Sequence, residues 1–183
     1  MKKFFVIGFA LVASLSMQAQ KFFTKDGTIQ FSSNAKLEKI EAVNNKASII
    51  LDVPTGAIEI AVLIKGFIFE NAFMGEHFNE TYMESDKFPK ANFKGKIENP
   101  AAVNFSKAGT YKAKVSGELT MHGVTKPVAT EATFTVADGK VTTDTKFTVK
   151  ASDFGVKIPG DKADNISNVI DVISKSTLTE LKK

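Results

Sequence analysis

The chain has 183 residues, 43% of them apolar, with 16 Phe, no Cys and no Trp, and its 24 cationic side chains are all lysines. That length predicts one domain, and that composition belongs to a soluble globular protein rather than a disordered one. Without Cys there is no disulfide framework, thiolate metal site, cysteine nucleophile or lipoprotein anchor. Without Arg there is no bidentate clamp on phosphate or carboxylate.

At the N-terminus, Lys2 and Lys3 precede an apolar run from Phe4 to Leu15, after which Ser16, Met17, Gln18 and Ala19 turn small and polar. This order of basic region, apolar run too short to span a bilayer, and cleavage zone predicts a signal peptide over 1–19 and a mature domain over 20–183. The expected location is periplasmic or secreted, with no stable membrane anchor after cleavage. Losing Lys2 and Lys3 lowers the formal net charge of +4 by two. The remaining lysines are scattered among apolar residues, as on solvated strand faces, so no nucleic-acid partner is expected.

Turn signals punctuate the rest: Asp26-Gly27, Asn44-Asn45, Pro54-Thr55-Gly56, Asn99-Pro100, Ala108-Gly109, Asp138-Gly139 and Pro159-Gly160-Asp161. The β-rich runs between them predict an all-β, antiparallel sandwich or barrel of eight or nine strands. Ala47–Val53 and Ala57–Ile64 are almost continuously apolar, which suggests strands covered on both faces or lying over a helix. Gly109–Met121 alternates strictly, with Tyr111, Ala113, Val115, Leu119 and Met121 on one face. Val128, Ala132, Phe134 and Val136 continue the pattern. Asp138-Gly139 then predicts a two-residue hairpin into Val141, Thr143, Thr145, Phe147 and Val149. A last strand is expected from about Val169 to Leu178.

One stretch departs from period two. Phe69, Phe73, Met74, Phe78 and Tyr82 recur at spacings suited to a short amphipathic helix over 69–83. It lies within a concentration of rings that also holds Phe67, Phe88 and Phe93. From the residues alone, these rings either plug one end of the sheet as core or cap the mouth of an apolar cavity.

Catalytic and metal motifs are absent. His77 and His122 are the only histidines, and neither stands in zinc-protease spacing with Glu76 or Glu80. There is no Gly-x-Ser-x-Gly elbow. In Gly155–Lys162, Asp161 takes the lysine position of a phosphate loop and Pro159 lacks an N–H. Asp161 and Asp164 lack the register of a calcium loop. No metal, catalytic residue or enzyme activity is expected.

Two motifs carry a family resemblance. Gly117–Val128, with its Leu-Thr-Met-His-Gly-Val-Thr-Lys-Pro corner, closely resembles the signature of the YceI-like family of secreted bacterial polyisoprenoid- or lipid-binding proteins. Glu76-His77-Phe78, followed by Lys87-Phe88-Pro89-Lys90-Ala91-Asn92-Phe93, resembles the family's helix and the strand after it. Ser152–Val156 is a weaker third match. The resemblance implies a lipocalin-like antiparallel β-barrel of about eight strands with one short inserted helix and a long hydrophobic pocket. An isoprenoid, an isoprenoid quinone or a fatty acid would be the bound ligand, and a homodimer is compatible with such a barrel.

Inward candidates for ligand contact are Phe31, Ile49 and Leu51 in the first two strands, Ile60, Val62 and Phe67 in the third and just after it, and Phe73, His77 and Phe78 in the helix. Phe93, Val115 and Leu119 follow, then Phe134, Phe147 and Val149. His77 is the candidate polar contact, whereas His122 is expected to hydrogen-bond across the corner. Gly123 is expected to adopt a backbone conformation closed to other residues, and Pro127 to begin the next strand. Met74-Gly75 stands where the family often has Arg-Asp, so selection by shape and apolar contact is expected. The rival reading is a filled barrel that meets a protein partner.

Overall fold

The computed structural model describes residues 20–181; the signal peptide expected over 1–19 lies outside them. The strands are β1 (Lys21–Asn34), β2 (Lys39–Asp52), β3 (Ala57–Leu63) and β4 (Ile68–Phe69). After α1 (Ala72–His77) come β5 (Lys90–Ile97), β6 (Gly109–Met121), β7 (Val124–Ala137), β8 (Lys140–Lys150) and β9 (Val169–Glu180). All pairings are antiparallel. The order β1-β9-β8-β7-β6-β5-β3-β2 closes on itself through β1–β2, and β4 adds only Ala42↔Phe69 and Val43↔Ile68 to the edge of β2. The result is a closed eight-stranded lipocalin-like barrel, a size at which side chains can fill the interior or leave room for one slim ligand.

Local chemistry explains the closure. Contrary to the sequence expectation, Asp26-Gly27 and Asn44-Asn45 do not turn the chain. They lie within the β1–β2 ladder, Gly27 opposite Ala47 and Asn44 opposite Ile29, where the register slips between Thr24 and Ile29, and Thr28 Oγ1 donates to Asn45 Oδ1 at 2.9 Å. A bulge bends a strand without ending it. A Cβ on Gly27 would stand 2.9 Å from the Ala47 carbonyl oxygen, so glycine lets β1 close on β2. The real β1–β2 turn, Ala35–Glu38, carries no Gly or Pro signal. Gly95 and Gly117 pair directly across β5 and β6, and a Cβ on either would run into the other strand's backbone.

Both tight hairpins use the left-handed region. Asp138 and Gly139 (φ 52° and 70°) join β7 to β8, and His122 and Gly123 (φ 51° and 75°) join β6 to β7. This is the primed turn that matches strand twist. Pro127 does not begin β7; it lies within it opposite Glu118, where β8 makes no ladder, since β7–β8 pairing covers only Ala132–Ala137. No partner there needs its missing N–H.

The apolar runs in β2 and β3 are not covered on both faces. Their inward residues Ile49, Leu51, Ile58 and Val62 are buried, whereas Ile50 and Leu63 are exposed outside the barrel. The inside is divided along its length. One end is mostly packed core around Phe22, Leu51, Ile97, Phe134, Val141 and Leu178. At the other end a second cluster, including Val62, Ile64, Met83, Ala151 and Val156, surrounds open space.

Candidate functional site: a half-open barrel

The open end encloses a cavity of about 540 Å³, within the span of roughly 300–1,000 Å³ typical of small-molecule sites. Alternation along each strand supplies its walls: Ile29 and Phe31 from β1, Val62 from β3, Leu119 and Met121 from β6, Phe147 and Val149 from β8, Ile170 and Val172 from β9. The segment after β3 and the helix roof it with Ile64, Phe67, Phe69, Met74, Phe78, Tyr82 and Met83.

Four rings form the densest part of that roof. Phe31 stacks on Phe78 (centroids 5.3 Å, 25° between planes) and meets Phe67 edge-on at 5.2 Å and Phe69 at 5.8 Å. Phe78 also meets Phe69 at 5.0 Å. Such pairs contribute about 0.5–1.5 kcal/mol each beyond their buried area. The rings therefore cap a cavity and pack with one another.

The helix that carries Phe78 is held from three sides. Asn71 Oδ1 caps α1 by accepting from the Phe73 N–H at 2.9 Å. Its continuation, Phe78–Tyr82, is a π-helical turn, which shifts Tyr82 round to the cavity side. Beyond that turn, Glu84 pairs with His122 Nε2 at 2.8 Å, and His122 Nδ1 donates to the Phe154 carbonyl at 3.1 Å. His122 thus fastens the end of the helix, the β6–β7 corner and the segment after β8 together; its hydrogen bonds reach out of the corner to Glu84 and Phe154, where the sequence predicts one across it.

Charged groups gather at the rim, and the buried Ser33 adds a hydroxyl to the lining. Glu38, His77, Lys162 and Asn165 line the mouth. Asn165 Nδ2 donates to Glu38 Oε2 at 3.2 Å, the Leu37 N–H donates to the Asp164 carbonyl at 2.8 Å, and the Ser167 N–H donates to Ser33 Oγ at 2.8 Å, tying the β1–β2 turn to the loop before β9. Glu76 and Glu80 are exposed and do not line the cavity, so no acidic pair converges with His77 inside it.

Of the residues singled out from sequence, Phe31, Val62, Phe67, His77, Phe78, Leu119, Phe147 and Val149 line this cavity. Ile49, Leu51, Ile60, Phe93, Val115 and Phe134 do not; they surround a smaller void in the packed end. Phe73 lies outside altogether, 72% exposed, because the helix turns Met74, His77 and Phe78 inward and leaves Phe73 off that face. Sequence reasoning missed Val156 and Ile158, which lie in a loop without periodicity. It also missed Ile170 and Val172, whose alternation in β9 was the available signal.

Fold and cavity together define a lipocalin-like barrel with an apolar interior open at one end. A family model described as the YceI-like domain matches residues 7–177, and the chain belongs to that family. A UPF0312 protein of Pseudomonas putida is 35% identical over 86 residues, which cover 43% of this chain and 41% of the relative. The match therefore spans less than half the length of that curated relative. Among solved structures, a polyisoprenoid binding domain from Saccharophagus degradans, implicated in plant cell wall breakdown, superposes with a TM-score of 0.77 at 12% identity, covering 90% of this chain and all of that one. Burkholderia cenocepacia BcnA gives 0.68 at 16% identity, covering 84% and 96%. At such identities the likeness is one of fold.

Proposed function

We propose that this chain binds one isoprenoid-like or fatty amphiphile, tail inward, and carries it through an aqueous periplasmic or extracellular space without covalent chemistry. The observation that carries this reading is the 540 Å³ apolar cavity under a roof of phenylalanines, with its charged groups confined to the rim. The polyisoprenoid-binding description of the Saccharophagus neighbour supports it.

Magnitudes favour a long tail. Each buried methylene contributes about 0.8 kcal/mol, so ten give roughly 8 kcal/mol before association costs of at least about 4 kcal/mol. Ten methylenes would leave only millimolar binding by this arithmetic, and a longer chain is needed for a useful carrier. The rival reading, a filled barrel acting through a protein partner, is met by the interior only in its packed half.

Organic extracts of gently purified protein, read by mass spectrometry, test the proposal. A hydrophobic molecule near one per chain is expected, as is a rise in melting temperature on adding isoprenoid quinones or long fatty acids. Clean extracts from several preparations together with unchanged melting would overturn it. N-terminal sequencing of the exported protein checks the location, with a start at Gln20 expected.

A further inference from the structure

Two cavities follow one another along the barrel, and they share part of their walls. The outer one is the chamber described above. The inner one, of about 90 Å³, lies toward the packed end among Leu51, Ile60, Phe93 and Phe134. Among the described residues, only Leu119 of β6 and Phe147 of β8 line both. Neither belongs to the two core clusters, and both are only partly buried although they point inward, because each borders empty space.

The lining of the inner chamber is mainly apolar, with the hydroxyls of three threonines and Ser174 on its wall. The hydroxyls of Thr130, Thr143 and Thr145 on its wall donate to main-chain carbonyls, of Lys146, Ser176 and Glu131 respectively. A lining of this character suits hydrocarbon. What separates it from the outer chamber is side chain, not backbone, and side chains change rotamer far more easily than a closed ladder shifts.

We infer that Leu119 and Phe147 form a stop that sets the length of tail the barrel accepts. A tail entering under the helix fills the outer chamber and ends against these two side chains, and the inner chamber is reached only when one of them is cut back. This rests on the lipid-binding reading above and adds a selectivity to it.

Titrating a series of linear isoprenoid alcohols of increasing length, by displacement of a fluorescent polyene fatty acid, tests it. For the wild type, affinity should climb at least about tenfold per isoprene unit up to the length that fills the outer chamber, and then level off. Leu119→Ala and Phe147→Leu should prolong the climb by at least one unit, and Leu119→Phe should end it sooner. Val62→Ala, on the outer wall alone, should lower affinity for every length and leave the break where it is. If Leu119→Ala does not fold, Phe147→Leu and Leu119→Phe decide the matter. An unmoved break in the variants overturns the stop while leaving lipid binding intact. A wild type that binds none of the alcohols overturns the lipid-binding reading, and the stop with it.

Discussion

Glu84 Oε2 lies 2.8 Å from Nε2 of His122 across 38 residues of chain, and Nδ1 of the same ring donates to the Phe154 carbonyl. The ring also stands edge-on to Phe88 at 4.7 Å. Three segments that give Met83, Met121 and Val156 to the cavity lining therefore meet on one imidazole with 11% side-chain exposure. Replacing it by Ala strands a partly buried carbonyl and frees the helix end, at a cost of about 1–3 kcal/mol. His122→Ala should lower the denaturation midpoint accordingly and speed ligand release. His122→Gln, which keeps one donor, should fall between it and the wild type in both measurements.

The phenylalanines separate into roof and surface, and substitution should show it. Phe31 touches three other rings, so Phe31→Ala should cost about 2–4 kcal/mol in chemical denaturation and weaken lipid binding. Phe73→Ala should stay within about 0.5 kcal/mol of the wild type and leave binding unchanged. Equal effects at the two positions would contradict this division.

At the β5–β6 crossing, Gly117→Ala should be among the most damaging single changes in the barrel. Its Cβ would run into the Gly95 backbone, which is held by the ladder and cannot give way as a side chain could. A loss of about 3 kcal/mol or more is expected by denaturation. Gly139→Ala, whose Cβ meets nothing within 4 Å, should carry only the smaller strain of a left-handed residue.

Asp52 closes β2, where Thr55 Oγ1 donates to its carboxylate at 2.9 Å and Lys21 pairs with it at 3.1 Å. The Thr55 hydroxyl first, and Lys21 after it, hold this carboxyl below its ordinary value of 3.8. Folding thus favours the ionised form. That contribution is complete above the ordinary value and is lost as pH falls through the lowered one. Asp52→Asn should cost about 1 kcal/mol at neutral pH. Its stability should decline less steeply in acid and converge with the wild type once the pH has fallen well below the ordinary carboxylate value.

Much of the barrel was legible along the chain because period two is a local property. Gly109–Met121 reads as a strand with Ala113 and Val115 inward, and it is one; Asp138-Gly139 reads as a hairpin turn, and it is one. The errors have a common origin. Asp26-Gly27 and Asn44-Asn45 have turn chemistry, but the ladder between β1 and β2 passes through both as a bulge. Phe73 has the spacing of a core residue, but a helix of six residues followed by a π-helical turn sets its own facing. Ile50 and Leu63 are as apolar as their buried neighbours and face out. For the bulge and for Ile50 and Leu63 the deciding contact comes from a neighbouring strand; for Phe73 it is the local turn geometry.

The phenylalanines and the missing cysteines and arginines were visible at once. By themselves they excluded disulfides, thiolate metal sites and guanidinium clamps, and marked a ring-rich segment beside an expected helix. Strand alternation told which residues point inward, and the corner motif pointed to the family. Alternation cannot tell packed interior from empty interior, because Val115 and Leu119 share one strand and one face. Only closure of the sheet, which makes one end mostly packed and leaves about 540 Å³ at the other, decided that Val115 is core and Leu119 is wall. Free volume is a sum over all eight strands, and no stretch of sequence contains it.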